Sequence, residues 1–484
     1  MWLQNLDVQT LSCTPYSILS DEQHRATPID SLYLSAFYAS FWPSHPFLPP
    51  LKDFKQHLKQ VDGADLAATI NYIGSLYVAS QQRSQKGRLM PQPPGEYSHN
   101  AFTVQNLLLL AITYHMQGSS EEAQDTLSTA TRIAIRLGLN QQTFSAAAGN
   151  NVTGESWRRT WWELYVLNIL FAALNQSHCH GLEGVETDVP MPCEEHMYRE
   201  FEKFPIGQSL ADFQDSLLSS QQGLTFSSFT YRIAAARALN QIIGASTAAT
   251  EGSVAPYQAA ELALETLRLR MGSPLQSIID PCDFSINEML FQAQMLVQAG
   301  TIFLHKPRSG LEAYENTQKI TCAPESSLLC SDITLHHTKK CVDAADELCK
   351  MVSVSGEISS RTPLFVCAMA LQSLVHLGAY NILQWSQKRP ILSQQVQLSV
   401  SGLQRLGQTW ITAQNVGDQV SAVARAVLNC NPDLSHNVTF PSDDTPLQQL
   451  QDSDSLLRTM DTPNSVENLS EQIRLDDYLD PHVL

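Results

Sequence analysis

The stretch ESWRRTWWELYVLNILFAAL, residues 155–174, combines three tryptophans and two adjacent arginines with a long apolar run. The whole chain has only 7 tryptophans in 484 residues, so this concentration of aromatic surface is unusual for it. At helical spacing, one face carries Trp157, Trp161, Leu164, Tyr165 and Asn168, and another carries Arg158 and Trp162. The question for the fold is whether this helix is buried in the core or exposes its aromatic rings and arginines to a ligand.

Two interpretations of this helix are open from the residues alone. Aromatic rings beside arginines can stack on the bases of single-stranded nucleic acid. Here the flanking run YVLNILFAAL is apolar, and no wider basic field surrounds it. We therefore predict that the tryptophans are core residues and that the arginines stack on them or pair with carboxylates, for which Glu155 and Glu163 are local candidates.

The composition is that of a globular, acidic chain. Hydrophobic residues make up 43% and charged residues 16%, and 30 Lys+Arg stand against 48 Asp+Glu, a net charge of −18. Because phosphate contacts need a clustered positive field, non-specific binding to DNA is disfavoured. No signal peptide and no transmembrane helix are predicted, so no membrane partner is expected. The ten scattered cysteines favour free buried thiols in a reducing compartment.

Apolar residues recur at helical spacing along most of the chain, and no alternating strand pattern occurs. The predicted fold is all-α, a large multi-helix domain with irregular loops. Helices are predicted at 29–41, 102–116, 119–137, 155–174, about 227–247, 256–271, 285–305, 339–352, 363–386 and 393–428. Residues 141–155 are predicted to be a loop, and the segment from the end of the tryptophan helix to about 225 is predicted to be irregular.

The second and third of these helices are predicted to form an antiparallel hairpin that turns at Gly118. Ser119 and Glu122 match the S-x-x-E capping box at the start of the second helix. Gly138 stands where a left-handed C-cap is expected.

Three regions are predicted along the chain: an arm at 1–25, a helical domain at 26–430 and an acidic tail at 431–484. From residue 441 onward, the tail holds ten Asp or Glu and two Arg, a balance of −8. Its end, LSEQIRLDDYLDPHVL, interleaves apolar residues with acids, a pattern typical of segments that fold on a partner. A solvated tail without a partner is the alternative.

The usual catalytic spacings, such as G-x-S-x-G, H-E-x-x-H and G-x-x-x-x-G-K-[ST], are absent, so no catalytic residue and no cofactor is predicted. One group of residues could supply the thiolate and imidazole ligands that Zn²⁺ prefers: His178, Cys179, His180, Cys193 and His196. These residues lie in an irregular stretch without the paired C-x₂-C knuckles of structural zinc sites. Packing within a loop is therefore the favoured interpretation, and no metal site is predicted.

At the tryptophan helix, the sequence resembles a known family. ESWRRTWWELYVLN is similar to the E-x-x-R-R-x-W-W-x-L-(Y/F)-x-x-D helix of the fungal-specific transcription factor domain, or middle homology region, of binuclear zinc cluster regulators. Four further stretches resemble family motifs in the expected order over about residues 30–310: LYLSAFYASFWPSHPFLPP, LLLLAITYHMQGSSEEAQDTLSTATRIAIRLGLN, VETDVPMPCEEHMY and AGTIFLHKP. The signature residues are Glu155, Trp157, Arg158, Arg159, Trp161, Trp162, Tyr165, Leu304, His305 and Pro307.

The departures from the family pattern are specific. The usual aspartate after the tryptophan helix is Asn168, and the usual GRP turn is replaced by SHCHGLEG, residues 177–184. Family members carry an N-terminal six-cysteine DNA-binding module, but no C-x₂-C occurs in this sequence. A chain without that module would reach DNA only indirectly. A shortened gene product that lacks its DNA-binding exon is a variant of the same interpretation.

The resemblance implies a nuclear regulator of transcription that controls a metabolic or biosynthetic gene set, although no strong import signal is present. Its implied partners are other transcription regulators or the transcription machinery, contacted through the acidic tail, and a small-molecule effector. The alternative is a small-molecule-binding helical protein or an enzyme on the same scaffold. A deep pocket with converging titratable groups would favour the enzyme, whereas a shallow, purely apolar pocket would favour the regulator.

Overall fold

The chain folds into α-helices that share one hydrophobic core, and the predicted all-α class is confirmed. The computed structural model describes residues 30–54, 64–82, 90–92, 100–175, 177, 179–200, 204, 207–218, 225–248, 254–280, 284–311, 333–354, 356–382 and 388–429. Within those ranges the only β-type pairing is a single antiparallel bridge between Ile279 and Ile286. The predicted arm at 1–25 and tail at 431–484 lie outside the described residues, so those boundaries stay predictions.

The helices are numbered in chain order. They are α1 Ser31–Ala36, α2 Ala64–Gln82, α3 Ala101–Met116, α4 Ser120–Leu137, α5 Gln142–Ala147, α6 Val152–Leu174, α7 Glu195–Glu200, α8 Leu210–Leu218, α9 Ser228–Ala248, α10 Ala255–Met271, α11 Pro274–Ile278, α12 Glu288–His305, α13 Ile333–Val352, α14 Phe365–Ile382, α15 Arg389–Gly407 and α16 Ile411–Asn429. After α1 the chain continues as a π-helical turn, Phe37–Phe41, and a 3₁₀ turn, Trp42–Ser44. A 3₁₀ turn at Lys306–Arg308 follows α12.

The predicted hairpin of α3 and α4 is present. Gly118 and Gly138 both have positive φ, 87° and 79°, as the turn and the left-handed C-cap require. Ser119 is the N-cap residue of α4, but its side chain makes no capping hydrogen bond, so the predicted capping box is not formed. The helix start is then stabilised by the two acidic residues of its first turn, Glu121 and Glu122, which face the positive end of the helix dipole.

The centre of the fold is α12, which packs against α9, α10, α13 and α14. Helix α6 packs against α3, α4, α5 and α9. Helix α14 is long and apolar enough to cross a bilayer by length and composition, but 78% of it is buried inside the protein. A helix buried in this way has its apolar surface covered by neighbouring helices, as expected for a core element.

Three predicted boundaries are wrong. The predicted loop at 141–155 contains α5 and the first turn of α6, because Asn151 caps a helix that begins earlier than its apolar pattern. The single helix predicted at 393–428 is two helices, α15 and α16, separated by residues 408–410. The irregular segment before 225 includes the short helices α7 and α8.

Helix α2 was not predicted, although its buried residues Leu66, Ile70, Ile73 and Tyr77 recur at helical spacing. Thr, Asn, Ser and Gly74 between them made the pattern less distinct. Gly74 has a packing reason: a Cβ added there would overlap the backbone carbonyl of Tyr33 in α1. The absence of a side chain at Gly74 is what allows α1 and α2 to lie this close together.

We expect Gly74→Ala to lower the free energy of unfolding by about 1–3 kcal/mol, because the backbone of Tyr33 must move to admit the methyl group. Gly244→Ala in α9 is the matched control. A Cβ at Gly244 would meet no atom within 4 Å, so alanine there is expected to raise stability by about 0.5–1 kcal/mol. Urea denaturation of both variants measures the two shifts, and equal shifts of the same sign would contradict the close packing of α1 on α2.

Candidate functional site

Helix α6 is buried along nearly its whole length. Its first turn is capped by Asn151, whose side chain accepts hydrogen bonds from the N–H groups of Thr153 and Gly154. Trp161 and Trp162 are each 1% exposed. The two indoles therefore lie in the core as predicted, and they offer no open face on which a nucleic-acid base could stack.

The two adjacent arginines of α6 share one carboxylate. Arg158 Nε and Arg159 Nε donate to the two oxygens of Glu155, at 2.8 Å and 2.9 Å. Arg159 also donates to Glu195 Oε2 at 2.7 Å and to the carbonyl oxygen of Cys193 at 2.9 Å. The predicted pairing with Glu155 is confirmed, and these contacts fix the segment before α7 against α6.

The predicted pairing of Glu163 with the arginines of its own helix is wrong. Glu163 instead accepts two hydrogen bonds from Arg232 of α9, at 2.6 Å and 3.1 Å, and lies 2.8 Å from His45 Nδ1. Burial raises the pKa of this carboxyl, but Arg232 and His45 outweigh it, and the pKa falls to about 2. Glu163 is therefore ionised inside the core and connects three separate parts of the chain.

A second buried carboxylate continues this polar network. His45 Nε2 lies 3.2 Å from Thr362 Oγ1, and the N–H of Thr362 donates to Glu288 at 3.1 Å. Arg361 Nη1 donates to the other oxygen of Glu288 at 3.2 Å. Burial raises the pKa of Glu288 to about 7, although Arg361 and the backbone N–H act in the opposite direction.

An apolar cavity of about 50 Å³ lies between α6, α9, α12 and α14. Its lining contains no charged residue: Leu170, Ala173, Leu174, Leu239, Met295, Leu296, Ala299, Phe303, Leu364, Cys367, Ala368 and Leu371. None of the buried carboxylates and arginines of the polar network faces it. The cavity has the purely apolar character that was expected of a regulator, and it is much smaller than a typical ligand pocket of about 300–1,000 Å³.

Trp157 is buried in α6 like the other two tryptophans, and the remaining signature residues lie at two places. Tyr165 is half-buried and packs its ring against Trp162, with 5.5 Å between ring centroids. Leu304 and His305 end α12 and are buried, and Pro307 stands in the 3₁₀ turn that follows.

Of the possible metal ligands of the irregular segment, the four that the structure describes do not form a metal-holding group. His178 lies outside the described residues, Cys179 is exposed, and His180 Nδ1 accepts the N–H of its neighbour Leu182. Cys193 is buried beside Arg159, while His196 is exposed. In the described part of the chain, no three His, Cys, Asp or Glu side chains are placed so that they could hold a metal ion.

Sequence reasoning missed several members of the polar network: His45, Arg232, Glu288, Arg361 and Thr362. One signal was available, because Arg232 stands beside the apolar run Ile233–Ala236, and a charge that such a run would bury needs a partner. The identity of that partner could not be read from the sequence, since Glu163 lies 69 residues away.

Comparison with known proteins gives two matches. Residues 94–269 match the family described as the fungal specific transcription factor domain. A protein named "C6 finger domain transcription factor iacK", from Pestalotiopsis fici, is 31% identical over 411 residues. That alignment covers 84% of this chain and 60% of the relative, so the chain spans about three fifths of the length of that protein. No solved structure matches the chain.

Proposed function

Because residues 94–269 of the chain carry a fungal specific transcription factor domain, we propose that the chain is a regulator of transcription that acts in the nucleus. The observation that carries this proposal is the similarity to a protein named as a transcription factor, which extends over 84% of the chain. The absence of charged groups from the cavity supports a regulator over an enzyme on the same scaffold, because an active site needs converging titratable groups.

A more specific proposal concerns how the protein contacts the DNA of the genes that it regulates. The 484 residues contain no C-x₂-C, and their net charge is −18. Both features support indirect contact with DNA through another regulator. We propose that the acidic residues from 441 onward contact the transcription machinery, and that the genes controlled are metabolic or biosynthetic.

We also propose a small apolar effector for the cavity between α6, α9, α12 and α14. The cavity is lined by aliphatic side chains, Phe303 and Cys367, and its volume of about 50 Å³ admits only a small guest unless the lining side chains move. Xenon, which enters dry apolar cavities, is a suitable probe. A xenon-dependent change in the NMR signals of Ala299 and Ala368 is expected, and unchanged signals would argue against an accessible cavity.

A reporter assay tests the regulator. We expect the full chain, fused to a heterologous DNA-binding domain, to raise reporter output, and a fusion of residues 441–484 alone to raise it too. Replacing Leu475, Tyr478 and Leu479 by alanine keeps the charge and removes the apolar residues that would contact a partner. The fusion that carries these three alanine replacements should lose most of the reporter activity. Output that stays at the level of the DNA-binding domain alone for every fusion would refute the proposal.

A further inference from the structure

The outward face of α10 carries apolar side chains where a surface helix normally carries charges. Its opposite face is buried and packs against α9 and α12. Leu262 and Leu269 are 68% and 78% exposed, the N-cap residue Val254 is 62% exposed, and Phe284 is 73% exposed. These are the four most exposed large apolar side chains in the described part of the chain. Single exposed apolar residues are ordinary, whereas a group of them marks an interaction surface.

Helical geometry places the two leucines at the centre of this face. Leu262 and Leu269 stand seven residues apart, which is about two turns, so they lie one above the other along the helix. The other residues on the same side are small or uncharged: Ala255, Gln258, Ala259 and Thr266. These residues together form the outer stripe of α10. The seven-residue repeat of Ala255, Leu262 and Leu269 is typical of the seam along which one helix packs against another.

The exposed Phe284 lies toward the C-terminal end of α10. Helices α10 and α12 are antiparallel, since Tyr257 Oη at the start of α10 is 2.8 Å from His305 Nδ1 at the end of α12. The loop that leads into α12 is held by hydrogen bonds from Phe284 N–H to the Asp280 carbonyl and from Asp280 N–H to the Ser285 carbonyl, both 2.9 Å. Phe284 has φ 58°, which bulky residues rarely adopt, and such strain is concentrated at binding sites.

We propose that the outer stripe is the surface on which a second copy of the chain docks, with α10 against α10 in antiparallel orientation. The flanks of the stripe carry Glu261 and Glu265 in the middle of the helix and Arg268 and Arg270 near its end. An antiparallel pair places the acidic part of one helix beside the basic end of the other. A parallel pair would place like charges together. The antiparallel pair is symmetric, so one face serves both copies.

The charges beside the stripe favour a second copy over the acidic C-terminal segment. The charged residues of α10 are two Glu and two Arg, which sum to zero. Lys340 of α13 is already paired with Glu261 at 2.6 Å and with Glu265 at 3.2 Å. No basic field therefore attracts a segment that carries a net charge of −8 from residue 441 onward.

The length of α10 determines how strong the association can be. Its 17 residues extend over about 25 Å. One helix pair of that length is a small interface beside the roughly 1,200–2,000 Å² of stable complexes, so we expect a reversible dimer that forms at micromolar concentration. This inference goes beyond the proposed function, because regulation of transcription does not fix an oligomeric state.

Sedimentation velocity of the full chain over a concentration series tests the dimer. We expect the average mass to rise from monomer toward dimer through the micromolar range. Replacing Leu262 and Leu269 together by glutamate puts charges into the seam and should weaken the dimer at least about tenfold. Both side chains are exposed, so the melting temperature should not change. Glutamate at Leu32 and Ile382, exposed positions of α1 and α14, adds the same charge and should leave the dissociation constant unchanged.

A single charge reversal tests the orientation of the two helices. Arg268→Glu places like charges beside Glu261 of an antiparallel partner and should weaken the dimer about fivefold at low salt and less at high salt. In a parallel pair it would exchange one like-charge contact for another. An unchanged dissociation constant for Arg268→Glu would therefore overturn the antiparallel arrangement.

Hydrogen exchange identifies the surface that becomes covered, and we expect protection of α10 to rise with protein concentration. A wild type that stays monomeric at hundreds of micromolar would overturn the proposal, as would equal dimerisation by wild type and the Leu262 and Leu269 double variant. Protection of α10 in a monomeric chain by an added peptide of residues 466–484 would show that the C-terminal segment covers the outer stripe, and would also overturn it.

Discussion

Replacing Glu163 by glutamine is expected to lower the free energy of unfolding by about 3–5 kcal/mol. Glu163 is 1% exposed and accepts two hydrogen bonds from the buried guanidinium of Arg232. The variant removes the hydrogen-bonded counter-charge of that buried guanidinium, and breaking a buried ion pair costs far more than losing a surface pair. His45, which also contacts Glu163, loses its charged partner in the same step.

Chemical denaturation followed by circular dichroism measures the change in the free energy of unfolding. Two further variants serve as comparisons. Glu265→Gln removes a partly exposed carboxylate paired with Arg268 and Lys340, and should cost only about 0–1 kcal/mol. Replacing Glu163 and Arg232 together by leucine removes both charges and should recover part of the loss. A loss for Glu163→Gln no larger than that for Glu265→Gln would show that the buried pair does not stabilise the core.

The lowered pKa of Glu163 also predicts that the folded protein loses stability in acid. The pKa of Glu163 is lowered from an ordinary value of 4.5 to about 2, so its contribution is fully present above pH 4.5 and is lost as the pH falls toward 2. Burial also lowers the pKa of His45 below 6.5, although Glu163 opposes this shift, and protonation of His45 in acid destabilises the fold as well. The wild-type stability curve should therefore be steeper than that of Glu163→Gln between pH 4.5 and 2.

The contrast between Glu155 and Glu163 shows which ion pairs can be predicted from the sequence alone. Both stand within one helical turn or so of the arginines, so both were reasonable partners. Only Glu155 takes that role, because Glu163 faces groups that lie 69 and 118 residues away in the chain. Helical periodicity predicts which residues share a face of one helix, but it carries no information on which distant face will meet it.

The fold class and most of the helices were predictable for the same reason, since they depend on local periodicity. The antiparallel hairpin of α3 and α4 is determined by apolar stripes and by two glycines close to one another in sequence. The cavity requires four helices to be packed together, and the polar network joins His45 to Thr362, 317 residues further along the chain. Neither could be predicted from one sequence.

Replacing Trp161 by alanine is expected to lower the free energy of unfolding by about 3–5 kcal/mol, the range measured for large-to-small changes at fully buried aromatic residues. Trp161 is among the largest side chains that are completely buried, and its removal leaves a void that the surrounding helices cannot fill without moving. Trp161→Phe keeps an aromatic ring at the same position and should cost clearly less. Urea denaturation of the two variants gives the comparison.

This experiment also decides between the two interpretations of the tryptophan helix. A ring that stacked on nucleic-acid bases would be exposed in the free protein, so its removal would leave stability nearly unchanged and would weaken binding to single-stranded nucleic acid. Trp161 is instead enclosed, and its neighbour Trp162 donates its indole N–H to the carbonyl oxygen of Pro190 at 3.0 Å. Tyr165→Phe, at a half-buried position of the same helix, is the control for loss of a polar aromatic group. A Trp161→Ala variant as stable as Tyr165→Phe would contradict the core role, whereas a large loss would show that Trp161 attaches α6 to the neighbouring helices.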